Sequence, residues 1–250
     1  FGKAYLIVAK ETYTMTEDGQ QACVGQEYSR WSFDLETGEM VELMTDTDGI
    51  LPYMYGVWED IAVYQTVKTV EGAPEFEEWI MQQPEGTTSY QYGLQYYKYR
   101  VYSKNLKTGE EKTIVDESEN FVWTADPHMS WGQYVVYQID RSVYVYDMET
   151  QASKKLFTHD PGWDFYNYMI LDGHVMVIGG TEDTCRAWAI DIMDGSVVEL
   201  DTYGENVVAF SAHYECNGYF VGLLHASNNA DQYYISKEDY YRSNYDAAFR

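Results

Sequence analysis

One phrase recurs five times in the chain: an alternating strand of aromatic and β-branched residues runs into a short polar turn and leaves it as a second strand. Four copies read Tyr28–Leu43, Tyr99–Gly109, Val143–Thr150 and Ala187–Gly195, and a worn fifth lies at Tyr233–Asp239. Measured between Asp34, Asn105, Asp147, Asp191 and Ser236, the spacings are 71, 42, 44 and 45 residues. A repeat of about 40–45 residues that supplies antiparallel strands is the period of a propeller blade, here with an insertion in the first interval.

The unit has a local physical logic. Asp or Asn ends the outgoing strand, where its side chain bonds the backbone ahead, and Thr-Gly supplies the positive φ that turns the chain back. Leu43, Leu156 and Leu200 close the returning strands. Upstream lies a second shared pattern, an apolar strand, a tight turn and another apolar strand. Its turns are Trp58-Glu59-Asp60, Ser130-Trp131-Gly132, Leu171-Asp172-Gly173 and Cys216-Asn217-Gly218, which read as the hairpin between the innermost and second strands of a blade. A sheet with two apolar faces must be stacked on neighbours to bury both.

The expected fold is therefore all-β, a five-bladed β-propeller of four-stranded antiparallel blades in one domain spanning 1–250. Blade 1 covers about 1–45 plus 244–250, blade 2 about 50–116 with an insertion at 66–91, blade 3 about 121–158, blade 4 about 163–202 and blade 5 about 206–243. Blade 1 lacks an innermost strand before Phe1–Val8, and Tyr245–Arg250 is expected to pair with the N-terminal segment and latch the ring. The alternative is a fragment of a propeller of six to eight blades.

Composition narrows the setting. The 26 Tyr, 9 Phe and 7 Trp suit strands and sheet packing. With 16 basic and 41 acidic residues the net charge is -25, which repels phosphate backbones and anionic membrane surfaces and leaves cationic partners open. The plainer account of that charge is solubility of a tyrosine-rich surface. Cys23, Cys185 and Cys216 are odd in number and fall in different blades, which allows one bridge with one spare but reads more plainly as three unrelated thiols. No spanning segment or signal peptide is present, and a chain without an initiating Met is expected of a trimmed or excised piece.

Function in such a fold gathers at the mouth, where the loops entering the innermost strands and those between second and third strands meet. These loops are acidic, amide-rich and dotted with aromatics, which suits a protein or carbohydrate ligand. Blade register places Tyr53, Trp123, Asp126, Trp163, Asp164 and Tyr166 around it. In the insertion, Phe76, Trp79 and Ile80 share one helical face, either as a lid with an exposed anchor or, as the plainer reading, packing their own rings onto the blade.

Chemical signatures are sparse. Asp46-Thr47-Asp48-Gly49 resembles the start of a calcium loop but lacks the third carboxylate and the closing Glu, and the five histidines have no short metal spacing, so no metal or cofactor is expected. His128 and His213 read as satisfied core residues on innermost strands. Glycoside hydrolysis would need two carboxylates about 5 to 9.5 Å apart, and Asp126, Asp164 and Asp246 are the candidates. Nucleophile elbow, P-loop and dinucleotide fingerprints are absent from the sequence.

The Asp-Leu-Glu-Thr-Gly turn at 34–38 and the Asn-Leu-Lys-Thr-Gly turn at 105–109, with the apolar strands around them, resemble the repeats of bacterial extracytoplasmic propellers of the TolB-like and YWTD-like sort. The resemblance implies a location outside the cytoplasm, secreted or surface-anchored, and a noncatalytic binding or scaffolding role. A carbohydrate-active hydrolase or lyase on a five-bladed propeller and a structural domain of a larger envelope protein are the competing readings.

Overall fold

The computed structural model describes residues 2–16, 18–45, 51–84, 86–118, 130–159, 164–181, 184–203, 207–225 and 231–250. Their strands run consecutively as antiparallel meanders. The first sheet holds β1 (Lys3–Met15), β2 (Gln21–Asp34) and β3 (Met40–Thr45). The second holds β4 (Tyr53–Trp58), β5 (Ile61–Thr69), β6 (Tyr97–Asn105) and β7 (Glu111–Ser118). The third holds β8 (Ser130–Trp131), β9 (Tyr134–Ile139), β10 (Ser142–Asp147) and β11 (Ala152–Thr158). The fourth holds β12 (Asp164–Leu171), β13 (His174–Thr181), β14 (Thr184–Asp191) and β15 (Val197–Leu200). A short ladder of β16 (Thr202–Tyr203) and β17 (Val207–Val208) leads to the last sheet, β18 (Phe210–Cys216), β19 (Tyr219–Leu224) and β20 (Gln232–Ser236). Three short helices complete the set: α1 (Phe76–Ile80), α2 (Ser89–Tyr96) and α3 (Lys237–Tyr241).

The repeated phrase folds as its local chemistry requires. Asp34 Oδ1 accepts from the backbone N–H groups of Glu36 and Thr37 at 2.9 and 2.8 Å. Asn105 Oδ1 accepts from Lys107 and Thr108, both at 2.9 Å. Asp147 Oδ1 does the same for Glu149 and Thr150 at 2.9 and 3.4 Å, and Asp191 Oδ1 for Met193 and Asp194 at 2.6 and 3.0 Å. Gly38, Gly109 and Gly195 then take φ of 74°, 76° and 79°, a left-handed conformation open to glycine at little cost. The inner hairpins also fall where the sequence places them, with positive φ at Asp172 and Gly173 and at Asn217 and Gly218.

The fifth copy departs. Ser236 Oγ accepts from Asp239 N–H at 3.1 Å and caps α3, so a helix stands where a turn and returning strand were expected. This copy has no glycine, and Glu238 and Asp239 in the first turn favour the helix N-terminus. The tail departs too. After a 3₁₀ turn at Tyr245–Ala247, Phe249 forms an antiparallel bridge with Tyr234 and extends the last sheet beyond β20, rather than supplying an innermost strand to the N-terminal sheet. Cys23, Cys185 and Cys216 are free thiols.

The chain comprises two compact units, Phe1–Met54 with Tyr64–Glu119 and Tyr55–Val63 with Asn120–Arg250. In the first, the insertion forms a knot of rings: Trp79 meets Tyr92 edge-on at 5.3 Å, Phe76 meets Tyr92 at 5.4 Å, and the Tyr92 hydroxyl donates to the Pro74 carbonyl at 2.6 Å. Helix α1 matches the sequence pattern, but Trp79 is buried, so it is not an exposed anchor. Helix α2, started by a Thr88–Gln91 capping box, adds a second helix to the insertion beyond the one that the sequence pattern marks. In the second unit, successive sheets stack by their inner turns. Trp131 lies against Gly173, where an added Cβ would sit 3.2 Å from its ring. Lys154 Nζ donates to the Met193 carbonyl at 3.0 Å. Leu171, Met176, Leu200, Phe210, Phe220 and Ile235 form the core between the last two sheets, with Tyr240 of α3 closing it.

Candidate functional site

Of the residues that register places at a mouth, Tyr53 opens β4 and is 38% exposed. Asp164 and Tyr166 lie on β12 and are described by backbone alone, and Trp123, Asp126 and Trp163 lie outside the described residues, as do most of the acidic loop tips. Asp246, a candidate carboxylate for hydrolysis, sits on the exposed 3₁₀ turn near the C-terminus and on no innermost strand. His213 is not a core residue: β18 bulges between Ala212 and Tyr214, which leaves His213 exposed.

Tyr53 follows Pro52, whose carbonyl accepts from a buried arginine to which the strand pattern assigns no role. Arg30 stands on β2, opposite Met44 of β3, and is 8% exposed. Alternation along Ser29-Arg30-Trp31-Ser32-Phe33 would bury the aromatics, but Arg30 and Ser32 are the buried pair and Trp31 and Phe33 are only half-buried. The repeat itself carried the signal. Arg30 is four residues before the turn residue Asp34, the position occupied by Val101, Val143 and Ala187 before Asn105, Asp147 and Asp191. Those three side chains are fully or almost fully buried. A cation occupies a core position of the blade.

Among the described residues none neutralises Arg30. Its Nε donates to the Pro52 carbonyl at 2.8 Å, and among the described residues no carboxylate is within ion-pair distance. Burial holds its pKa below the ordinary arginine value, while Tyr64 and Tyr53 act in the opposite sense. Tyr64 is fully buried on β5, stacked on Tyr102 with centroids 5.6 Å apart, and its hydroxyl lacks a hydrogen-bond partner among the described residues. Burial, with a smaller contribution from Tyr102, pushes its pKa up to about 12 against the pull of Arg30, so it stays a protonated donor near neutrality. Arg100 lies over the Tyr102 ring at 4.6 Å.

A second feature lies in the other unit. Met169, Met176, Trp188, Leu200, Phe210 and His213 are among the residues lining a cavity of about 100 Å³. Ser211, also on its wall, has its Oγ 2.8 Å from Nε2 of His225. Burial and then the neighbouring His213 depress the His225 pKa, which keeps the ring neutral near pH 7. A serine activated for attack also needs its base oriented by a third group, and among the described residues no carboxylate accepts from the other nitrogen of His225. The pair ties β18 to the end of β19.

No protein-family model matches the chain, and no curated protein matches it in sequence. Among solved structures it is similar to an oligogalacturonate lyase in complex with manganese, with a TM-score of 0.52 and 13% identity over 86% of this chain and 60% of that one. It is also similar to the acylaminoacyl peptidase of Pyrococcus horikoshii, with a TM-score of 0.50 and 14% identity over 94% of this chain and 35% of that one. A weaker likeness, with a TM-score of 0.43 and 11% identity, is to the β-propeller domain of the trilobed protease from Pyrococcus furiosus, over 93% of this chain and 65% of that one. The chain thus spans 60% and 35% of the first two proteins, less than two thirds of either. Successive antiparallel sheets on a blade-length repeat make it an all-β protein of propeller type. No described helix is long and apolar enough to cross a membrane.

Proposed function

We propose that the chain is a noncatalytic ligand- or protein-binding module of an exported or cell-surface protein, its sheets forming five blades of a propeller. The observation that carries this reading is Arg30, a cation at a repeat position that is apolar in the three complete copies that follow, buried close to the partly exposed Tyr53. A charge held in the core with no carboxylate beside it among the described residues is costly, so its retention supports a role in recognition. Tyr53, Trp123, Asp126, Trp163, Asp164 and Tyr166 are proposed to line the binding mouth, with a protein or carbohydrate as ligand. The position of Asp246 on a surface turn weakens the three-carboxylate hydrolase.

The structural likeness to an oligogalacturonate lyase favours a second reading, a glycan-active lyase on the same fold. A thermal-shift panel of neutral and acidic oligosaccharides, oligogalacturonates included, and basic peptides tests both. A reproducible stabilisation with no unsaturated product on prolonged incubation supports the binding module. Release of unsaturated sugar would establish the lyase, and flat melts across the panel would remove the ligand-binding reading.

A further inference from the structure

We infer that β1 is the contact edge of a two-fold symmetric dimer, in which the β1 strands of two copies pair antiparallel and join two three-stranded sheets into one. The inference goes beyond the binding-module reading and does not depend on it. The second, third and fourth sheets each hold four strands, and the sheet of β1, β2 and β3 holds three. Asp34 ends β2 as Asn105, Asp147 and Asp191 end the third strands β6, β10 and β14, so β1 is a second strand, and among the described residues no innermost strand stands beside it. The C-terminal tail does not supply one, because Phe249 pairs with Tyr234. Every residue from Leu6 to Thr16 is exposed, with Leu6 at 40%, Ile7 at 58% and Val8 at 38%. A long strand with apolar side chains at an open sheet edge is a template for another strand.

The sequence of β1 selects a second copy as the occupant. A two-fold axis perpendicular to the sheet keeps each side chain on its own face, so the register must be centred on a residue. Centred on Ile7, it sets Lys3 against the partner's Glu11 and Glu11 against the partner's Lys3, with Tyr5 against the partner's Ala9, Leu6 against the partner's Val8 and Ile7 against the partner's Ile7. Apolar side chains then meet apolar ones, and opposite charges close both ends. Centred on Val8 or Ala9 instead, Glu11 would face the partner's Tyr5 or the partner's Ile7, and centred on Lys10 the two lysines would meet. The pairing of β1 with β2 is regular from Lys3 to Thr12 and shifts at Tyr13, which bounds the usable stretch just beyond Glu11. Gln26 Nε2 donates to Glu11 Oε1 at 2.8 Å and holds that carboxylate in place. Two chains of net charge -25 repel at long range, a repulsion that salt screens.

Sedimentation velocity of the whole chain from about 1 to 500 μM, in about 0.3 M salt, should show monomer passing to dimer with no larger species. Ile7→Lys sets two lysines against each other on the axis and should weaken the dimer about tenfold or more. The melting temperature of the dilute variant should match the wild type, because Ile7 is exposed. Lys3→Glu and Glu11→Lys each set like charges across the axis and should each weaken the dimer by about threefold to tenfold. The double variant restores opposite charges in the same register and should return the dissociation constant to the wild-type value.

A chain that stays monomeric at the highest concentration leaves the edge to a strand of another protein and overturns the inference. So does a dimer that Ile7→Lys leaves intact, or one that the double variant fails to restore, since the contact then lies on another surface or in another register. Species that grow beyond the dimer would reveal a contact that does not close on itself, and would equally overturn it.

Discussion

Tyr234 and Phe249 exchange backbone hydrogen bonds in both directions, N–H of Tyr234 to the Phe249 carbonyl at 2.7 Å and N–H of Phe249 to the Tyr234 carbonyl at 2.9 Å. The same two rings stack at 5.8 Å, and Phe249 meets Tyr219 edge-on at 5.6 Å. The C-terminal segment thereby takes a strand-like place at the edge of the last sheet. Phe249→Pro removes the donor and Phe249→Ala removes the ring. Each should destabilise that sheet by about 1–2 kcal/mol, the proline variant by removing the N–H that donates to the Tyr234 carbonyl and the alanine variant by removing the stacked ring. A proline variant as stable as the wild type in denaturant titration would show that this backbone bond contributes nothing.

Tyr64 gives a pH dependence on the alkaline side. Its folded pKa lies near 12, above the value of about 10 for an unfolded tyrosine, so between these values the unfolded chain has lost a proton that the folded chain keeps. Stability is then fully present below about pH 10 and falls as pH rises towards 12, by about 1.4 kcal/mol per pH unit for this residue. Tyr240, Tyr241 and Tyr245 are raised as well, chiefly by burial, and add to the slope. Denaturant titrations between pH 9 and 12 should show Tyr64→Phe losing stability less steeply than the wild type, by about one proton.

Gly222 faces the bulge of β18. A Cβ added there would lie 1.9 Å from the backbone oxygen of Ser211, so backbone must move to admit it. Gly222→Ala should cost about 1–3 kcal/mol and disturb the neighbouring Ser211–His225 hydrogen bond. The His225 imidazole resonances, followed by NMR through a pH titration, should then move toward the ordinary histidine value; an unchanged titration would disprove the coupling.

Trp79 holds the insertion together, since Phe76, Tyr92 and Tyr96 all meet its ring. Trp79→Ala should remove about 3 kcal/mol of local stability. Hydrogen exchange should rise across 70–96 while β6 and β7 keep their protection, because the hydrogen bond from Val70 N–H to the Tyr96 carbonyl closes the excursion at its base.

At Asp34, backbone hydrogen bonds from Thr37 and then Glu36 hold the carboxyl below its ordinary pKa. The stability this confers is present above the unfolded carboxylate pKa and is lost as pH falls through the folded one. Asn105 makes the same turn without a charge. Asp34→Asn should therefore keep the melting temperature at neutral pH with a flatter acid limb, and Asp34→Ala should lower it at every pH.

The sequence by itself determined the parts of this protein that depend on near neighbours along the chain. Each strand-ending Asp or Asn reaches only two or three residues ahead, glycine supplies the left-handed turn, and Phe76, Trp79 and Ile80 mark one face of α1, so hairpins, repeat length and that helix were all legible. The tertiary structure decided what depends on distant surfaces. Which face of β2 is buried follows from the sheets against it and not from alternation, so Arg30 turned inward although Trp31 and Phe33 were the more apolar choice. The tail pairs with β20 because Tyr219 and Tyr234 offer Phe249 rings and an open backbone edge, a match that no local pattern encodes. Helix α3 replaces the last returning strand because Tyr240 fills the core over Phe210 and Phe220, where burial of one large ring outweighs the hairpin habit of the repeat.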